Sequence, residues 1–497
     1  MHIADYLSTL RLDPASATPL FQQLYDAIKC GVLEFRIRPG AQLPPTRGLA
    51  KQLGISRQTV IVAYAQLTAE GFLAGTVGKG TFVNSRLPIA AARRAPGPGA
   101  ALHLLSERGA RFVDHRASMV THEGAPRAFR LGMPGLDSFP FSIWARLESR
   151  CWRQAGADLG YADPAGLPRL RELLAAHLST SRGVHCAAEQ IVITSGSQQA
   201  LFLIATLLLA PGDAVWVEDP GYRGASGALY AAGARVCPIP VDAEGLSVAL
   251  GAKHHPGARL VYSTPSHQYP LGMSMSLPRR LDLLAWAVRH QAWVVEDDYD
   301  SEYRYDGPPL ASLQSLDKTG CVIYVGTLSK ILFPGLRLGY LVLPHGLANS
   351  FARGKAVIDR HSCTVQQHVL ADFMAEGHFN RHIKRTREIY AERHGALLRA
   401  LETQLAGEID LAAANSGLHV ALAFRRGLDD IALEAAAGRR GIEVRALSRL
   451  YAPPESVALR TGTPSGLLLG FASVPADDTR AAVKALGAVL KDFRGRQ

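Results

Sequence analysis

Apolar residues near the start of the chain recur at helical intervals. Leu20–Leu33 has this spacing, and Thr46–Leu53 repeats it over a shorter stretch. Gly54 then supplies a turn, and Ser56 is a good N-cap for a helix that follows it. The pattern predicts a first helix followed by a helix-turn-helix.

The helix after Ser56 has one face directed toward the core. Val60, Tyr64 and Leu67 lie at positions i, i+4 and i+7, which leaves the first turn of this helix displayed. A recognition helix enters the major groove with its N-terminal residues at base edges, where Arg can bind guanine and Gln can bind adenine. The displayed side chains are those of Arg57, Gln58 and Thr59.

Two strand-like segments, 71–74 and 81–83, flank the glycine-rich stretch 75–80. They predict a hairpin, or wing, whose Lys79 can contact a phosphate group. Short amphipathic helix pairs are common in proteins, so this pattern alone permits DNA binding without establishing it.

The composition changes near residue 85, where 85–101 is rich in Ala, Pro and Arg and has no apolar periodicity. This change predicts a linker over 85–125. Beyond it, short apolar runs alternate with helical patterns such as 197–209 and 278–290, which predicts parallel strands with crossover helices. The runs that we interpret as buried strands are 191–194, 214–218, 260–263, 293–296 and 322–325.

Composition and charge exclude several classes of protein. The 497 residues, 47% hydrophobic and 20% charged, are typical of a globular chain with several packing units. The longest mainly apolar stretch, 200–210, is interrupted by Thr206 and is too short to span a membrane, and Asp5 and Arg11 interrupt any signal peptide. The six cysteines are scattered without metal-ligand spacing, so we expect a cytoplasmic protein without a metal. The net charge of +11 permits a polyanionic partner.

Lys330 follows the predicted strand 322–325 and is the central candidate for chemistry. An amine is nucleophilic only when its surroundings favour the neutral form, and such lysines form Schiff bases with aldehydes such as pyridoxal phosphate (PLP). Thr327, Ser329 and Arg337 supply hydroxyl and guanidinium donors for a phosphate group. A lysine after a strand is more often a surface lysine, so other segments must agree.

Three other segments carry complementary groups. Ser197 and Gln198 lie at a predicted strand-turn-helix junction, where backbone amides bind phosphate or merely cap a helix. Asp297 follows another strand; it can face a pyridine nitrogen, or it can be a helix cap or a surface acid. Tyr299 can donate to a ring oxygen, and Tyr222 can stack on a pyridine ring.

The segments PLFQQLYDAI, LPPTRGLAKQLGISRQTVIVAYAQLTAEGFL and GKGTFV resemble the winged-helix domain of GntR-family transcription regulators over residues 18–84. One departure is Ile61, where relatives carry polar or basic residues. The resemblance implies DNA contacts at Arg47, Ser56, Arg57, Gln58, Thr59 and Gly78.

In order along the chain, GSQQA, EDPGY, TPSHQYPLG, VVEDDYDSEYRY, GTLSK and GLRLGY resemble fold-type I PLP-dependent aminotransferases over about residues 126–497. Together with the winged helix, the chain resembles the MocR subfamily of GntR-type regulators. The resemblance implies that Lys330 forms the internal aldimine, Asp297 pairs with the ring nitrogen, Tyr299 binds the ring oxygen and Tyr222 stacks. It assigns the phosphate group to Ser197, Gln198, Thr327, Ser329 and Arg337.

The same resemblance implies a homodimer in which Tyr161 contacts the phosphate group of the partner chain. Two positions depart from the aminotransferase pattern. His267 stands in the segment where the usual ring-oxygen asparagine is replaced, so it is a candidate substitute. No arginine for a substrate carboxylate is evident in 467–471; Arg445 or Arg449 can supply one, or each can be a solvated surface arginine.

The predicted fold is therefore α/β, with a winged helix-turn-helix at 1–84, a linker at 85–125 and an aminotransferase-like PLP-binding part at 126–497. The large domain is expected over about 150–343, and the small domain over about 344–497 plus 126–149. The predicted function is a transcription regulator that binds operator DNA and senses PLP or its aldimine with a small amino compound. The alternative is an active aminotransferase that carries a DNA-binding module.

Overall fold

The structure is a computed structural model that describes residues 3–76, 79–85, 87, 105–106, 109–110, 113, 124–154, 156, 160–307, 310–411, 415–453 and 464–495. Gly78 and most of the predicted linker 85–125 lie outside the described residues. The chain divides into two compact units, one within residues 1–104 and one within 105–497.

The first unit has the predicted helix-turn-helix and wing. Its N-terminal helix α1 was not predicted, whereas the predicted bounds of α2 and α3 are confirmed. Leu24, Ile28, Val60 and Leu67 are fully buried in its core. The elements are α1 (Ile3–Ser8), α2 (Leu20–Leu33), α3 (Thr46–Leu53), α4 (Arg57–Ala69), β1 (Leu73–Thr76) and β2 (Gly80–Val83), and the two strands pair antiparallel.

An eight-stranded sheet forms the centre of the second unit, in the order β3-β10-β9-β8-β7-β4-β5-β6. All five predicted strands are present. The strands are β3 (Ile191–Thr194), β4 (Ala214–Asp219), β5 (Arg235–Asp242), β6 (Gly245–Leu246), β7 (Leu260–Ser263), β8 (Trp293–Asp298), β9 (Val322–Thr327) and β10 (Gly339–Val342).

The five predicted strands run in the same direction, as expected: β4, β7, β8 and β9 pair parallel, and β3 is separated from β9 by one further strand. Strand β10, which the sequence analysis missed, pairs antiparallel with both β9 and β3. The segment between β9 and β10, residues 328–338, contains only the short 3₁₀ helix Pro334–Leu336, so the chain folds back without the crossover helix that a parallel neighbour requires. The carboxyl ends of β4, β7, β8 and β9 share one edge of the sheet.

A second, antiparallel sheet has the order β11-β12-β14-β13. Its strands are β11 (Ile409–Leu411), β12 (His419–Phe424), β13 (Arg445–Ala446) and β14 (Gly466–Gly470). The α-helices described in this unit are α5 (Phe141–Gln154), α6 (Pro168–Arg182), α7 (Ser197–Leu208), α8 (Arg223–Ala232), α9 (Val248–His254), α10 (Leu277–His290), α11 (Ala348–Asp359), α12 (Thr364–Ala375), α13 (His378–Gln404), α14 (Asp430–Gly438) and α15 (Ala476–Arg494). Within the described residues, no helix has both the length and the hydropathy needed to cross a membrane.

Candidate functional site

The first turn of α4 presents the side chains that the sequence analysis singled out. Ser56 Oγ accepts a hydrogen bond from the Thr59 amide at 3.0 Å, which caps the helix as predicted. Arg57 and Gln58 are exposed beside this cap, and Arg47 is exposed on α3. The fold therefore holds a cluster of polar side chains on the outer surface of the helix pair, where they are open to a partner.

Lys79 is exposed on the wing, and its backbone carbonyl is tied to the body of the unit. The side-chain amide of Gln42 donates through Nε2 to the Lys79 carbonyl oxygen at 2.8 Å. The backbone near Gln42 also joins the hairpin, since the Leu43 amide donates to the Thr81 carbonyl at 2.9 Å. The sequence analysis missed Gln42, because nothing in its local pattern distinguishes it from any exposed glutamine.

In the second unit, the strand ends surround a cavity of about 770 Å³. This volume lies within the range of small-molecule sites. Nine of the predicted residues, from four separate segments of the chain, line this cavity. They are Ser197, Gln198, Tyr222, Asp297, Tyr299, Thr327, Ser329, Lys330 and Arg337.

Lys330 lies in this cavity beyond the end of β9. Its Nζ donates to the Gly132 carbonyl oxygen at 2.9 Å. Burial lowers the pKa of Lys330, although Asp300 and Asp297 act in the opposite direction. A Cβ atom on Gly132 would lie 2.5 Å from the Lys330 Nζ, so another residue there would displace the amine, and the φ of +66° also favours glycine. The lowered pKa increases the neutral fraction of the amine, which is the form that attacks an aldehyde.

Asp297 is 5% exposed and has one carboxylate oxygen in use. The Tyr262 hydroxyl donates to its Oδ2 at 2.7 Å, while Oδ1 is buried without a hydrogen-bond partner among the described residues. Burial raises the pKa of Asp297 to about 7, against the hydrogen bond from Tyr262. A buried, unpaired acceptor is costly, so Oδ1 is suited to a ligand that brings a hydrogen-bond donor. Tyr262 was missed; its only signal is a hydroxyl within the apolar strand LVYS.

The N-terminus of α7 and Arg337 form one end of the cavity. Gly196 precedes the helix with φ +101°, a conformation that favours glycine, and Arg337 Nη2 donates to the Ser195 carbonyl oxygen at 3.0 Å. The first amides of α7 have no partner within the helix and carry the positive end of its dipole. Together with the Arg337 guanidinium they make a site that suits a phosphate group.

Tyr222 and Thr327 lie beside that end of the cavity. The Tyr222 hydroxyl donates to Gln198 Oε1 at 3.3 Å, and burial raises the pKa of Tyr222 to about 12. Thr327 Oγ1 accepts from the Ser329 amide at 3.3 Å. These contacts keep the phenol neutral and hold the turn that leads to Lys330.

Two predicted residues lie outside the lining of the cavity. His267 is behind Tyr299, with its Nδ1 2.9 Å from the Tyr299 hydroxyl oxygen. Tyr161 is 90% exposed, and its ring stands beside Arg360 and His361. Neither is placed where it would contact a small molecule deep in the cavity of its own chain.

Arg445 and Arg449 both line the cavity on the side of the small sheet. Glu434 contacts both, with its Oε1 3.2 Å from Arg445 Nη1 and its Oε2 2.9 Å from Arg449 Nε. Strand β14 is wholly buried, and its LLL run offers no charged group. The two arginines are therefore held by one carboxylate at the cavity wall.

Two family profiles match the chain. The family described as bacterial regulatory proteins, gntR family, matches residues 20–83, and aminotransferase class I and II matches residues 135–466. The first match covers the helix-turn-helix and wing. The second covers the large sheet and the nine predicted residues that line the cavity.

Two transcription regulators are similar to this chain over nearly its whole length. The probable rhizopine catabolism regulatory protein MocR of Rhizobium meliloti is 39% identical over 480 residues, covering 96% of this chain and 95% of that protein. The HTH-type pyridoxine biosynthesis transcriptional regulator PdxR of Corynebacterium glutamicum is 33% identical over 479 residues, covering 95% and 96%. The solved structure of LysN, the alpha-aminoadipate aminotransferase of Thermus thermophilus complexed with N-(5'-phosphopyridoxyl)-L-leucine, has a TM-score of 0.67 and 28% identity, covering 74% of this chain and 93% of that chain.

Proposed function

Because this chain belongs to the MocR subfamily of GntR-type transcription regulators, we propose that its second unit binds PLP at Lys330 and reports the bound state to the DNA-binding unit. The signal is PLP itself or PLP joined to a small amino compound. GntR-type regulators bind operator DNA, and the polar cluster on α4 is the surface that we assign to that contact.

One observation carries the proposal: a lysine amine, an unpaired buried carboxylate oxygen and a phosphate-type anion site face the same cavity. These three features fit PLP, which has an aldehyde, a pyridine nitrogen and a phosphate group. Asp297 Oδ1 supplies the acceptor for a protonated ring nitrogen. Ser197, Gln198 and Arg337 supply the donors for the phosphate group.

The bound cofactor would supply an electrophilic carbonyl carbon and an electron-poor ring. The residues of the chain have separate tasks around it. Lys330 would supply the amine that holds the cofactor, and burial keeps more of this amine neutral. Tyr222 and Tyr299 line the cavity wall and would confine the ring. The Gly132 carbonyl oxygen, 2.9 Å from Nζ, orients the amine.

The decisive experiment adds PLP to the purified full-length chain and follows visible absorption. We expect a visible band, and borohydride treatment should fix an adduct that peptide mass spectrometry locates on Lys330. Lys330→Ala should abolish both. The matched control is Lys355→Met, since Lys355 is also buried but ion-pairs with Asp359. A wild-type chain that stays colourless, or an adduct on another lysine, would contradict the proposal.

The regulatory part is tested by thermodynamic linkage. If PLP changes the affinity for operator DNA by some factor, operator DNA must change the affinity for PLP by the same factor. Anisotropy titrations of a labelled operator with and without PLP, and PLP titrations with and without operator, measure the two factors. If PLP does not change the affinity for operator DNA, and operator DNA does not change the affinity for PLP, the sensing function is refuted while PLP binding stands.

The alternative function is an active aminotransferase, which the likeness to solved aminotransferases favours. Arg445 and Arg449 are already held by Glu434, so a substrate carboxylate would have to compete for them. Steady-state assays with varied amino donors separate the two functions. Turnover near one per second or faster, within the usual range of enzymes, would favour the alternative.

We also propose a homodimer in which Tyr161 reaches the phosphate site of the partner. The support is that its ring is 90% exposed and does not line the cavity of its own chain. Light scattering should give twice the mass of the chain. Tyr161→Ala should weaken PLP binding while leaving the visible band of the loaded protein unchanged.

A further inference from the structure

His267 and Asp300 form a buried pair directly behind Tyr299. Their exposed fractions are 3% and 1%, and His267 Nδ1 lies 3.0 Å from Asp300 Oδ1 and 3.2 Å from Oδ2. The same nitrogen lies 2.9 Å from the Tyr299 hydroxyl oxygen. His267 Nδ1 therefore faces both the Asp300 carboxylate and the Tyr299 hydroxyl. Of these two partners, only Tyr299 was expected from the sequence to contact the cofactor ring.

The chemistry of these groups fixes where the protons are. An ionised carboxylate only accepts hydrogen bonds, so the contact with Asp300 requires a hydrogen on His267 Nδ1. A protonated Nδ1 has no lone pair left to accept the Tyr299 hydroxyl proton. The Tyr299 oxygen must then accept from this N–H, which leaves its own hydrogen free to be donated into the cavity that Tyr299 lines.

The other side of the imidazole supports the same protonation state. His267 Nε2 is buried and has no hydrogen-bond partner among the described residues, so a proton there would be an unpaired buried donor. The nearby ring of His419 lies 5.3 Å away, centroid to centroid, and burial lowers the pKa of His419 to about 4. The Tyr269 ring stands beside the rings of Tyr299 and His419, and the nearby charged groups include Asp297, Glu218 and Lys330.

Gly417 holds the pair in this position. A Cβ atom there would collide with the His267 ring and with Asp300, so the backbone passes directly over the pair. This backbone is itself fixed, because the Gly417 amide donates to the Tyr303 carbonyl at 2.8 Å and the Tyr305 hydroxyl donates to the Gly417 carbonyl at 2.6 Å. The missing side chain of Gly417 therefore leaves the space that the pair occupies.

We propose that His267 and Asp300 are positioning residues that fix the Tyr299 hydroxyl as a hydrogen-bond donor to the ring oxygen of the cofactor. This inference rests on the proposed PLP binding. It gives His267 a role different from the direct ring-oxygen contact expected from the sequence. His267 acts through Tyr299, and Asp300 acts through His267.

The test is a pH titration of the visible band of the PLP-loaded, full-length chain. A donor to the ring oxygen stabilises the negative charge on that oxygen, so losing it should move the midpoint of the band to higher pH. His267→Phe keeps the ring volume and removes the donor, and it should raise the midpoint by about one unit, the size expected for one hydrogen bond to a charged group. His267→Asn loses ring volume but can place an amide donor near Nδ1, so its midpoint should stay closer to that of the wild type.

Tyr299→Phe should raise the midpoint at least as far, and adding His267→Phe to it should cause no further shift. Asp300→Asn gives a second route if His267→Phe fails to fold, and it too should raise the midpoint. His177→Phe is the matched control, since His177 is an imidazole on α6 that packs against Phe379 away from the cavity.

Two results would overturn the inference. If His267→Phe titrates like the wild type while His267→Asn is shifted, the residue only fills space. If the shifts of His267→Phe and Tyr299→Phe add in the double variant, the two residues act independently. A wild-type chain without a visible band would refute the proposed function, and this inference with it.

Discussion

The two units keep their functional side chains in opposite surroundings. In the first unit, Arg57 and Gln58 stand exposed on a helix whose core face is separate from them. In the second unit, Asp297 and Asp300 are buried, and Lys330 lines a cavity. The exposed cluster can change without disturbing the fold beneath it. The buried cluster shares its contacts with the core, so function and stability are coupled there.

This difference also predicts where ligand binding stabilises the protein. Asp297 Oδ1 and the first amides of α7 are polar groups that the protein leaves available, and a ligand that satisfies them lowers the free energy of the folded state only. Polar side chains on α4 are already solvated by water. Stabilisation by a ligand follows the ratio of its concentration to its dissociation constant, so we expect the melting temperature of the second unit to rise as PLP is added.

The largest effect is expected from Arg182, which lies beneath the cavity and not in it. Arg182 Nε donates to Asp298 Oδ2 at 2.7 Å, and Nη2 donates to Ser266 Oγ at 2.7 Å, with both charged side chains 2% exposed. Arg182→Ala leaves the buried Asp298 carboxylate without its positively charged partner, although the Tyr324 hydroxyl still donates to it, and this should cost about 3 to 5 kcal/mol of unfolding free energy. Urea unfolding of the full-length chain measures it.

Arg146→Ala is the control for that experiment, because Arg146 is an exposed arginine on α5. It should change the unfolding free energy by less than about 0.5 kcal/mol. If Arg146→Ala and Arg182→Ala lower the unfolding free energy equally, buried and exposed charges do not differ in their contribution to stability.

The next effect concerns the pH dependence of the apo protein. Burial raises the pKa of Asp297 from 3.8 to about 7, so between these values the unfolded chain loses this proton while the folded chain keeps it. The unfolding free energy should therefore fall as pH rises through this window, by up to about 1.4 kcal/mol per pH unit. Asp297→Asn removes this contribution and should flatten the curve of melting temperature against pH.

Part of the slope should remain in Asp297→Asn, since burial also raises the pKa of Glu296 and of Glu302 to about 7. Asp282→Asn, at an exposed position on α10, is the control and should leave the curve unchanged. A curve for Asp297→Asn that matches the wild type would mean that this carboxyl is not held protonated in the fold.

The sequence predicted the first unit almost completely, because its signals are local. Helix spacing, the Gly54 turn and the Ser56 cap each lie within a few residues of the element they define. The wing was also predicted, while the Gln42 contact with Lys79 was not, because it joins residues 37 positions apart. Such a contact depends on the folded hairpin and leaves no periodic pattern.

In the second unit the sequence predicted the segments but not their mutual contacts. Lys330 and Asp297 stand at strand ends, and alternation of strands and helices is enough to bring such ends together. The antiparallel strand β10 was missed, since a four-residue apolar run after a turn is ambiguous. The partners Tyr262, Asp300 and Gly417 were missed as well, because each contributes through long-range contacts that no local spacing records.

Arg57→Ala tests whether an exposed functional residue can be removed without affecting the fold. If Arg57 contacts a base, operator affinity should fall by about 1 to 3 kcal/mol while binding to unrelated DNA changes little. Fluorescence anisotropy with a duplex selected from random sequences by the wild-type chain measures both. Arg11→Ala, an exposed arginine outside the predicted contact set, is the control. Equal losses on all sequences would assign Arg57 to phosphate contact instead.

The smallest effect is expected at Ser56, which caps helix α4 and is also a predicted DNA contact. Its Oγ accepts from the Thr59 amide at 3.0 Å, so Ser56→Ala should cost about 1 kcal/mol of helix stability. Ser56→Asn preserves a cap and should keep that stability. If the exposed cluster is independent of the fold, the two variants should bind operator DNA in proportion to their stability alone. A Ser56→Asn chain that is as stable as the wild type but binds operator DNA more weakly would instead show that the Ser56 hydroxyl contacts DNA itself.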